Sequence, residues 1–307
     1  MPASQADAQR LANAAYYSSK GKAIYSDFST FAQGKALATC NAIEFARDFP
    51  QAGNEISVCE YGVGNGNFAK VFLDEVKKRD TKLYSRTRYH LFDISSKMLQ
   101  SAKKTLAHHK NICTFSAFDA AYDTPAQEFD YCRISELLTD LPAEIYMVNG
   151  GKITSPDGKH STSDLFVSKF LQRVEAGRAI PFNFVAQHFL LSLCGIGRQN
   201  FRIDLFDYGF YSADDIFTHP QEEWNGLVAR EYGSQITVDL NFPQILSSLA
   251  FEGIPAKIEM QKEYAERVLG MPLELSESGK GLDYAKAAPD SAGILEDDGF
   301  YHLRAGR

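Results

Sequence analysis

The stretch that decides the fold is VCEYGVGNGNFA, Val58 to Ala69. An apolar run comes first and ends near the carboxylate of Glu60. Glycines at alternate positions follow, and then an amphipathic helix begins. Glycine lets the backbone turn tightly and approach a ligand closely, and a helix start offers unpaired N–H groups. The pattern therefore predicts a nucleotide-like ligand between a first strand and its following helix. The glycines are Gly62, Gly64 and Gly66.

The spacing of these glycines distinguishes between ligands. The dinucleotide fingerprint G-x-G-x-x-G requires glycine at position 67, where this chain has Asn67. G-x-G-x-G after an acid is instead typical of S-adenosylmethionine (SAM) binding. A nicotinamide-dependent oxidoreductase is the weaker alternative, and a glycine motif alone can also serve only a strand-to-helix turn.

Two further acids favour SAM. Asp93 closes the second predicted strand and can accept hydrogen bonds from both ribose hydroxyls, and Asp119 follows the third strand, where it can accept one from the adenine amino group. With Glu60, these acids are expected at the carboxyl ends of successive strands, where open α/β sheets bind ligands. We therefore predict SAM as the cofactor, bound by Glu60, Gly62, Gly64, Gly66, Asp93 and Asp119. The alternative is that each acid is a solvated loop residue.

The flanking sequence extends this unit into a doubly wound α/β sheet, because short apolar runs alternate with amphipathic stretches up to Arg133. We predict a Rossmann-like, seven-stranded, mostly parallel sheet with N-terminal helices and an inserted subdomain on the substrate side. The predicted parts are an N-terminal helical cap and lid segment (1–50), a SAM-binding core (51–142), an inserted subdomain with helices (143–200) and the C-terminal part of the sheet (201–307). The polar stretch Ser276 to Asp298 is expected to be a mobile connector.

Composition narrows the class of protein. The chain has 307 residues with a formal net charge of −7, which argues against a nucleic-acid partner. Its five cysteines lack the spacing of metal sites, so we expect reduced thiols and no metal. The N-terminus does not resemble a signal peptide, and the most apolar stretch, Phe184 to Ile196, is too short to cross a bilayer. A cytoplasmic protein without a membrane partner is expected, and a homodimer stays open.

Several segments resemble the MidA-like family of class I SAM-dependent methyltransferases, which includes a mitochondrial protein arginine methyltransferase acting on a respiratory complex I subunit. The likeness covers almost the whole chain. The matching segments are SDFST (Ser26 to Thr30), EYGVGNG (Glu60 to Gly66), SELLTDLP (Ser135 to Pro142), FRIDLFDYGF (Phe201 to Phe210), ITVDLNF (Ile236 to Phe242), Gln261 to Gly270 and the closing GFYHLR.

The resemblance implies a methyltransferase that uses SAM, with a protein arginine as one acceptor. This chain departs from the family pattern at five positions in segments expected to face the substrate, so a small-molecule acceptor is an equal alternative. The departures are Ser26, Ser135, Thr139, Gln235 and Asn241.

Candidate catalytic residues follow from the chemistry. Methyl transfer from a sulfonium mainly requires an oriented acceptor and the exclusion of water. For a guanidinium acceptor, a neighbouring carboxylate binds the cation and helps to remove its proton. Glu136, after the fourth strand, is the first choice, although it can also be a surface acid that begins a helix. Asp207 and Tyr208, at the end of the fifth strand, are expected to line the acceptor pocket, unless Asp207 only caps the turn at Gly209.

A lid over cofactor and acceptor is predicted around Asp27, Phe28 and Thr30. The alternative is that Asp27 caps a helix and Phe28 packs against the sheet. A different functional class is also open, because the replaced family positions after the fourth strand are compatible with an assembly or scaffold protein that binds SAM but has no transfer activity.

Overall fold

The computed structural model describes residues 5–20, 27, 29–49, 55–278, 281–287 and 299–307. The helices are α1 Gln5–Lys20, α2 Ala36–Asp48, α3 Asn67–Arg79, α4 Thr81–Arg86, α5 Ser96–Thr105, α6 Leu165–Leu171, α7 Phe184–Ile196, α8 Ala213–Thr218, α9 Gln221–Leu227, α10 Phe242–Phe251 and α11 Gln261–Leu269. The strands are β1 Ile56–Tyr61, β2 Thr87–Asp93, β3 Cys113–Ala117, β4 Phe129–Ser135, β5 Glu144–Asn149, β6 Lys152–Thr154, β7 Ile180–Phe182, β8 Gly197–Phe210, β9 Ala229–Tyr232, β10 Gln235–Val238, β11 Leu240–Asn241, β12 Ala256–Met260, β13 Leu273–Ser278, β14 Gly281–Lys286 and β15 Phe300–Gly306.

The central sheet has the strand order β12-β15-β8-β4-β1-β2-β3, and the short β11 also pairs with β8. The five strands from β8 to β3 in this order are parallel, whereas β15 runs antiparallel to both of its neighbours. This confirms the predicted α/β class and the mostly parallel sheet. After β1 the chain continues to β2 and β3 on one side, and later to β4 and β8 on the other. The reversal of strand order between β1 and β4 opens the crevice in which such sheets bind ligands.

Apolar layers cover both faces of this sheet. All six residues of β1 are buried, as expected for a central parallel strand covered by helices on both sides. One face packs against α2 and α3, and α3 supplies Phe68, Phe72 and Val76 at helical spacing. The other face packs against α7 and α10. The two layers hold the strand ends in fixed positions at the edge that carries the site.

A smaller subdomain with its own apolar cluster lies beyond β4. The cluster combines residues of β5, β7 and α6 with residues of α8, α9 and β10. Trp224 of α9 is buried in it and donates its indole N–H to the carbonyl of Ala179 at 2.7 Å. This smaller subdomain is therefore assembled from two separate stretches of the chain, before α7 and after β8.

The prediction of a mobile connector from Ser276 to Asp298 is wrong for its first part, up to Lys286. Strands β13 and β14 form an antiparallel hairpin, and residues 288–298 lie outside the described residues. Leu282 and Tyr284 are buried in the apolar layer that contains α2. The polar composition of the segment concealed this alternation of apolar and polar residues.

The described helices include none with the length and apolar character that a transmembrane span requires. Within the same residues, no group of three metal-ligating side chains is placed to hold a metal ion.

Candidate functional site

A cavity of about 330 Å³ lies at the carboxyl ends of the parallel strands. Its volume falls in the range of about 300–1,000 Å³ that is usual for small-molecule sites. Because of the strand order, the cavity has two halves. The β1–β3 half contains Gly62, Gly64, Asp93 and Asp119. The β4–β8 half contains Ser135, Glu136, Asp140 and Tyr208, together with Gln235 of β10 and Tyr17 of α1.

The glycine loop after β1 is held by the neighbouring strand. Gly62 and Gly64 line the cavity with φ of +74° and +55°, and the Gly64 N–H donates to the Asp93 carboxylate at 2.9 Å. Gly66 does not line the cavity. It begins α3 at φ +78°, and a Cβ there would lie 3.0 Å from Cα of Ala102 in α5. Position 66 therefore requires glycine because α3 and α5 pack closely there.

Asp93 and Asp119 stand at the ends of β2 and β3, as the sequence predicted. Oδ1 of Asp93 accepts from the Ser95 N–H at 2.8 Å, and burial raises the pKa of Asp93 to about 6. Asp119 accepts from the Ala121 N–H at 2.9 Å. Each carboxylate oxygen has two lone pairs, so both groups keep capacity for hydroxyl or amino donors of a ligand.

Glu60 is not part of the cavity lining, so the structure does not bring it together with Asp93 and Asp119. It is 1% exposed, and it accepts from the Tyr89 hydroxyl at 2.6 Å and from Nη2 of Arg133 at 2.9 Å. Side chains alternate between the faces of a strand, and Glu60 points to the face on which Tyr89 of β2 and Arg133 of β4 lie. Its carboxylate compensates the buried guanidinium and links three strands.

Glu136 has the most unusual backbone of the site. It is the only non-glycine residue in the described parts of the chain with a positive φ, +48°. Such a conformation costs on the order of 1–3 kcal/mol and is concentrated at functional sites. The carboxylate accepts from the Thr30 hydroxyl at 2.9 Å and from the Phe31 N–H at 3.0 Å. Burial, with the charge of Asp207, raises the pKa of Glu136 to about 8.

Asp207 is fully buried and lies behind the cavity wall, so the expectation that it lines the acceptor pocket is corrected. Its carboxylate accepts from the Leu138 N–H at 2.8 Å and from the Thr139 hydroxyl at 2.9 Å. It therefore fixes the turn after β4, rather than the turn at Gly209. Tyr208 does line the cavity, and the Arg230 guanidinium lies 5.3 Å from its ring centroid.

The residues predicted as a lid are placed differently from one another. Thr30 lines the cavity, and its carbonyl accepts from the Leu282 N–H of the hairpin at 3.0 Å. Asp27 accepts from the Tyr16 hydroxyl at 2.7 Å and is not among the lining residues. Phe28 lies outside the described residues.

Helix α1 contributes residues that the sequence analysis missed. Asn13 donates to the carbonyls of Asp140 and Ile236, both at 2.8 Å, and Gln9 donates to the carbonyl of Leu141 at 3.0 Å. Tyr17 donates to the Asp140 carboxylate. The signal was present, because positions 9, 13 and 17 share one face of a helix, and polar side chains repeated at that spacing indicate a docked face.

Acidic side chains outnumber basic ones in the cavity lining. Among the described residues, five carboxylates line it against two guanidiniums. One of these guanidiniums, Arg230, is already paired with Asp239, at 2.7 and 3.2 Å. The cavity is therefore suited to a ligand that carries positive charge. The lining carboxylates are Asp93, Asp119, Glu136, Asp140 and Asp239.

Comparison with known proteins finds one family model that matches part of the chain. Residues 40–176 match a family model described as "Putative S-adenosyl-L-methionine-dependent methyltransferase". This stretch begins in α2, contains the glycine loop and ends after α6. No curated protein has a sequence that matches this chain.

Solved structures share the fold over the whole chain. An uncharacterized protein from Burkholderia thailandensis is 15% identical with a TM-score of 0.61, covering 100% of this chain and 94% of that chain. A member of the same superfamily from that organism, bound to S-adenosyl-homocysteine, is 13% identical with a TM-score of 0.64, covering 100% and 95%. A DhpI complex with SAM and HEP is 13% identical with a TM-score of 0.50, covering 97% of each chain.

Proposed function

We propose that this protein is a SAM-dependent methyltransferase and that it methylates a cationic nitrogen. Residues 40–176 match a model of such enzymes, and the whole chain shares the fold of a structure bound to S-adenosyl-homocysteine, which supports the first part of the proposal. The acceptor in this proposal is the guanidinium of a protein arginine or of a small molecule. The observation that carries the proposal is the placement of Glu136 in a cavity where carboxylates outnumber guanidiniums.

The residues of the β1–β3 half fit the cofactor. Asp93 and Asp119 offer carboxylate oxygens to ribose hydroxyls and to an adenine amino group, and Gly62 and Gly64 let the backbone come close. The S-adenosyl-homocysteine bound by the Burkholderia thailandensis protein supports the same cofactor class for this chain. When bound, SAM supplies an electrophilic methyl group on a sulfonium.

Glu136 is proposed to orient the acceptor nitrogen and to accept its proton. Its positive φ turns the carboxylate into the β4–β8 half, and Thr30 and Phe31 fix its direction. A carboxylate held in this way binds a guanidinium through charge-assisted hydrogen bonds. With a pKa of about 8, the group is also suited to take up a proton near neutral pH.

The test compares Glu136→Gln with the control Glu252→Gln, which changes an exposed residue away from the cavity. We expect Glu136→Gln to bind S-adenosylhomocysteine normally and to lose methyl transfer by about 100-fold or more, the contribution typical of a positioned base. Transfer is measured with labelled SAM and cell extract, separated into protein and low-mass fractions. Label found in neither fraction for the wild-type protein, with cofactor binding intact, would favour the scaffold alternative.

A further inference from the structure

Three side chains form a closed hydrogen-bonded cluster in the β4–β8 half, the Tyr17–Asp140–Gln235 cluster. Nε2 of Gln235 donates to Oδ1 of Asp140 at 2.6 Å and to the Tyr17 hydroxyl at 2.7 Å. The Tyr17 hydroxyl donates in turn to Oδ2 of Asp140. All three residues line the cavity, and they come from α1, from the turn after β4 and from β10.

The cluster leaves one polar atom without a partner. Oε1 of Gln235 is buried and makes no hydrogen bond, although the residue is only 3% exposed. The orientation of the amide is fixed by its neighbours, because a flipped amide would bring Oε1 against the Asp140 carboxylate, and two acceptors repel. Oε1 must therefore lie on the side of the amide that faces away from Asp140.

A second unpartnered atom lies in the same half. Oγ of Ser135 is buried without a hydrogen bond, and Ser135 is 7% exposed and lines the cavity. Oγ1 of Thr237, which also lines the cavity, is a third such atom. Buried polar atoms in folded proteins are nearly always hydrogen-bonded, so unpartnered atoms in one cavity wall indicate a ligand that supplies donors. The adjacent Asp140 carboxylate adds negative charge, which favours a donor that is also a cation.

We propose that Oε1 of Gln235, with the Asp140 carboxylate behind it, accepts a hydrogen bond from an N–H of the methyl acceptor and selects a cationic donor over a neutral one. This makes the Tyr17–Asp140–Gln235 cluster a specificity-determining site beside Glu136. The inference rests on the proposed function, because it assigns this half of the cavity to the acceptor.

The test uses three small compounds with the same butyl chain: butylguanidinium, butylammonium and the neutral butylurea. The guanidinium and the urea also share a planar head group. Each is titrated by calorimetry into the full chain saturated with S-adenosylhomocysteine. We expect both cations to bind at least 10-fold more tightly than butylurea. Equal binding of all three would overturn the inference.

Two variants assign this preference to the cluster. Asp140→Asn should reduce the preference for the cations over butylurea several-fold, while Glu136 retains part of it, and Gln235→Met should weaken every compound by 10-fold or more. The matched controls, Asp157→Asn and Gln172→Met, change exposed residues outside the cavity lining and should behave as the wild-type protein. A variant is compared with its control only if it unfolds in a single cooperative thermal transition. If one variant fails to fold, the other still tests the inference.

S-Adenosylhomocysteine affinity separates this inference from the proposed function. In both variants it should stay within 2-fold of the wild-type value. A folded variant that loses S-adenosylhomocysteine binding would move the cluster to the cofactor site and overturn the inference alone. Failure of the wild-type chain to bind S-adenosylhomocysteine would overturn the proposed function, and the inference with it.

Discussion

Glu136 carries a carboxyl group whose pKa of about 8 results mainly from burial, with a further contribution from the charge of Asp207. The hydrogen bonds from Thr30 and Phe31 act in the opposite direction, because they favour the anion. The side chain is therefore oriented by its partners and still able to bind a proton near neutral pH. This combination suits a general base.

We expect kcat/KM to rise with pH up to an apparent pKa near 8, because only the ionised form of Glu136 can accept a proton. A guanidinium acceptor does not titrate in this range, so the inflection reports a group of the enzyme. The measurement is a pH–rate profile between pH 6 and pH 9.5 at subsaturating acceptor.

Glu136→Gln provides the control for this profile. Its residual activity should be nearly independent of pH across the same range, since the titrating group has been removed. If the inflection near pH 8 persists in Glu136→Gln, another group is responsible and Glu136 is not the base.

Helix α1 closes the cavity through buried amide side chains rather than through apolar packing alone. Asn13 exchanges two hydrogen bonds with the backbone of Ile236 in β10 and donates a third to the Asp140 carbonyl. Tyr17, about one turn further along the same face, belongs to the cluster around Asp140. The position of this helix therefore sets the geometry of the β4–β8 half.

Replacing Asn13 with Ala should lower the free energy of unfolding by about 2 kcal/mol or more, because buried backbone groups lose their partners. Methyl transfer should fall as well, since Tyr17 moves with the helix. Urea unfolding and single-turnover transfer measure the two effects. Asn149→Ala, at the exposed end of β5, is the control. Equal values for the two variants would contradict the docking role of α1.

At the level of elements, the sequence predicted best where local pattern and final packing agree. The run from Ile56 to Tyr61 is buried at every position, and the helix that begins at Asn67 lies as its periodicity indicated. The sequence did not reveal that Glu60 and Asp207 are buried outside the cavity lining, because their positions depend on distant partners, Arg133 for Glu60 and the turn after β4 for Asp207. Strand alternation alone does not reveal which face of the sheet opens into a cavity.

The Tyr17–Asp140–Gln235 cluster also could not be predicted from local sequence pattern, because its members are still further apart along the chain. Its members are separated by 95 to 218 positions in the chain. The sequence did mark Gln235 as a departure from the family pattern, although its partner, Asp140, becomes recognisable only when α1, the turn after β4 and β10 meet. Such a cluster follows from tertiary packing and leaves no local pattern.

For the whole molecule, the carboxyl groups in and behind the cavity couple stability to pH. Burial raises the pKa of Asp140 and of Asp207 to about 7, and that of Glu136 to about 8. Each group binds its proton more tightly in the folded state than in the unfolded state. Its stabilising contribution is therefore complete below about pH 4 and is lost as pH rises through 7 to 8.

We expect the melting temperature of the protein without ligand to fall by several degrees between pH 6.5 and pH 8.5. The histidines whose pKa is lowered by burial, His90 and His109, act in the opposite direction only below about pH 6.5. The measurement is a thermal scan in buffers of matched ionic strength.

Asp140→Asn should flatten this dependence on pH, because it removes one of the three groups, whereas the exposed Asp157→Asn should leave it unchanged. A melting temperature that stays constant or rises from pH 6.5 to pH 8.5 would contradict the raised pKa values of these carboxyls in the folded chain.

The central claim is that the carboxyl ends of β1, β2 and β3 hold the adenosyl cofactor, with Asp93 at the ribose. Calorimetric titration of S-adenosylhomocysteine into the wild-type chain and into Asp93→Ala tests it directly, with Asp157→Ala as the exposed control. We expect one site per chain in the wild type and the control, and an affinity about 100-fold lower in Asp93→Ala, since hydrogen bonds to a charged group contribute about 1.5–3 kcal/mol each. Equal affinity in all three proteins, or no binding to the wild type, would contradict the claim.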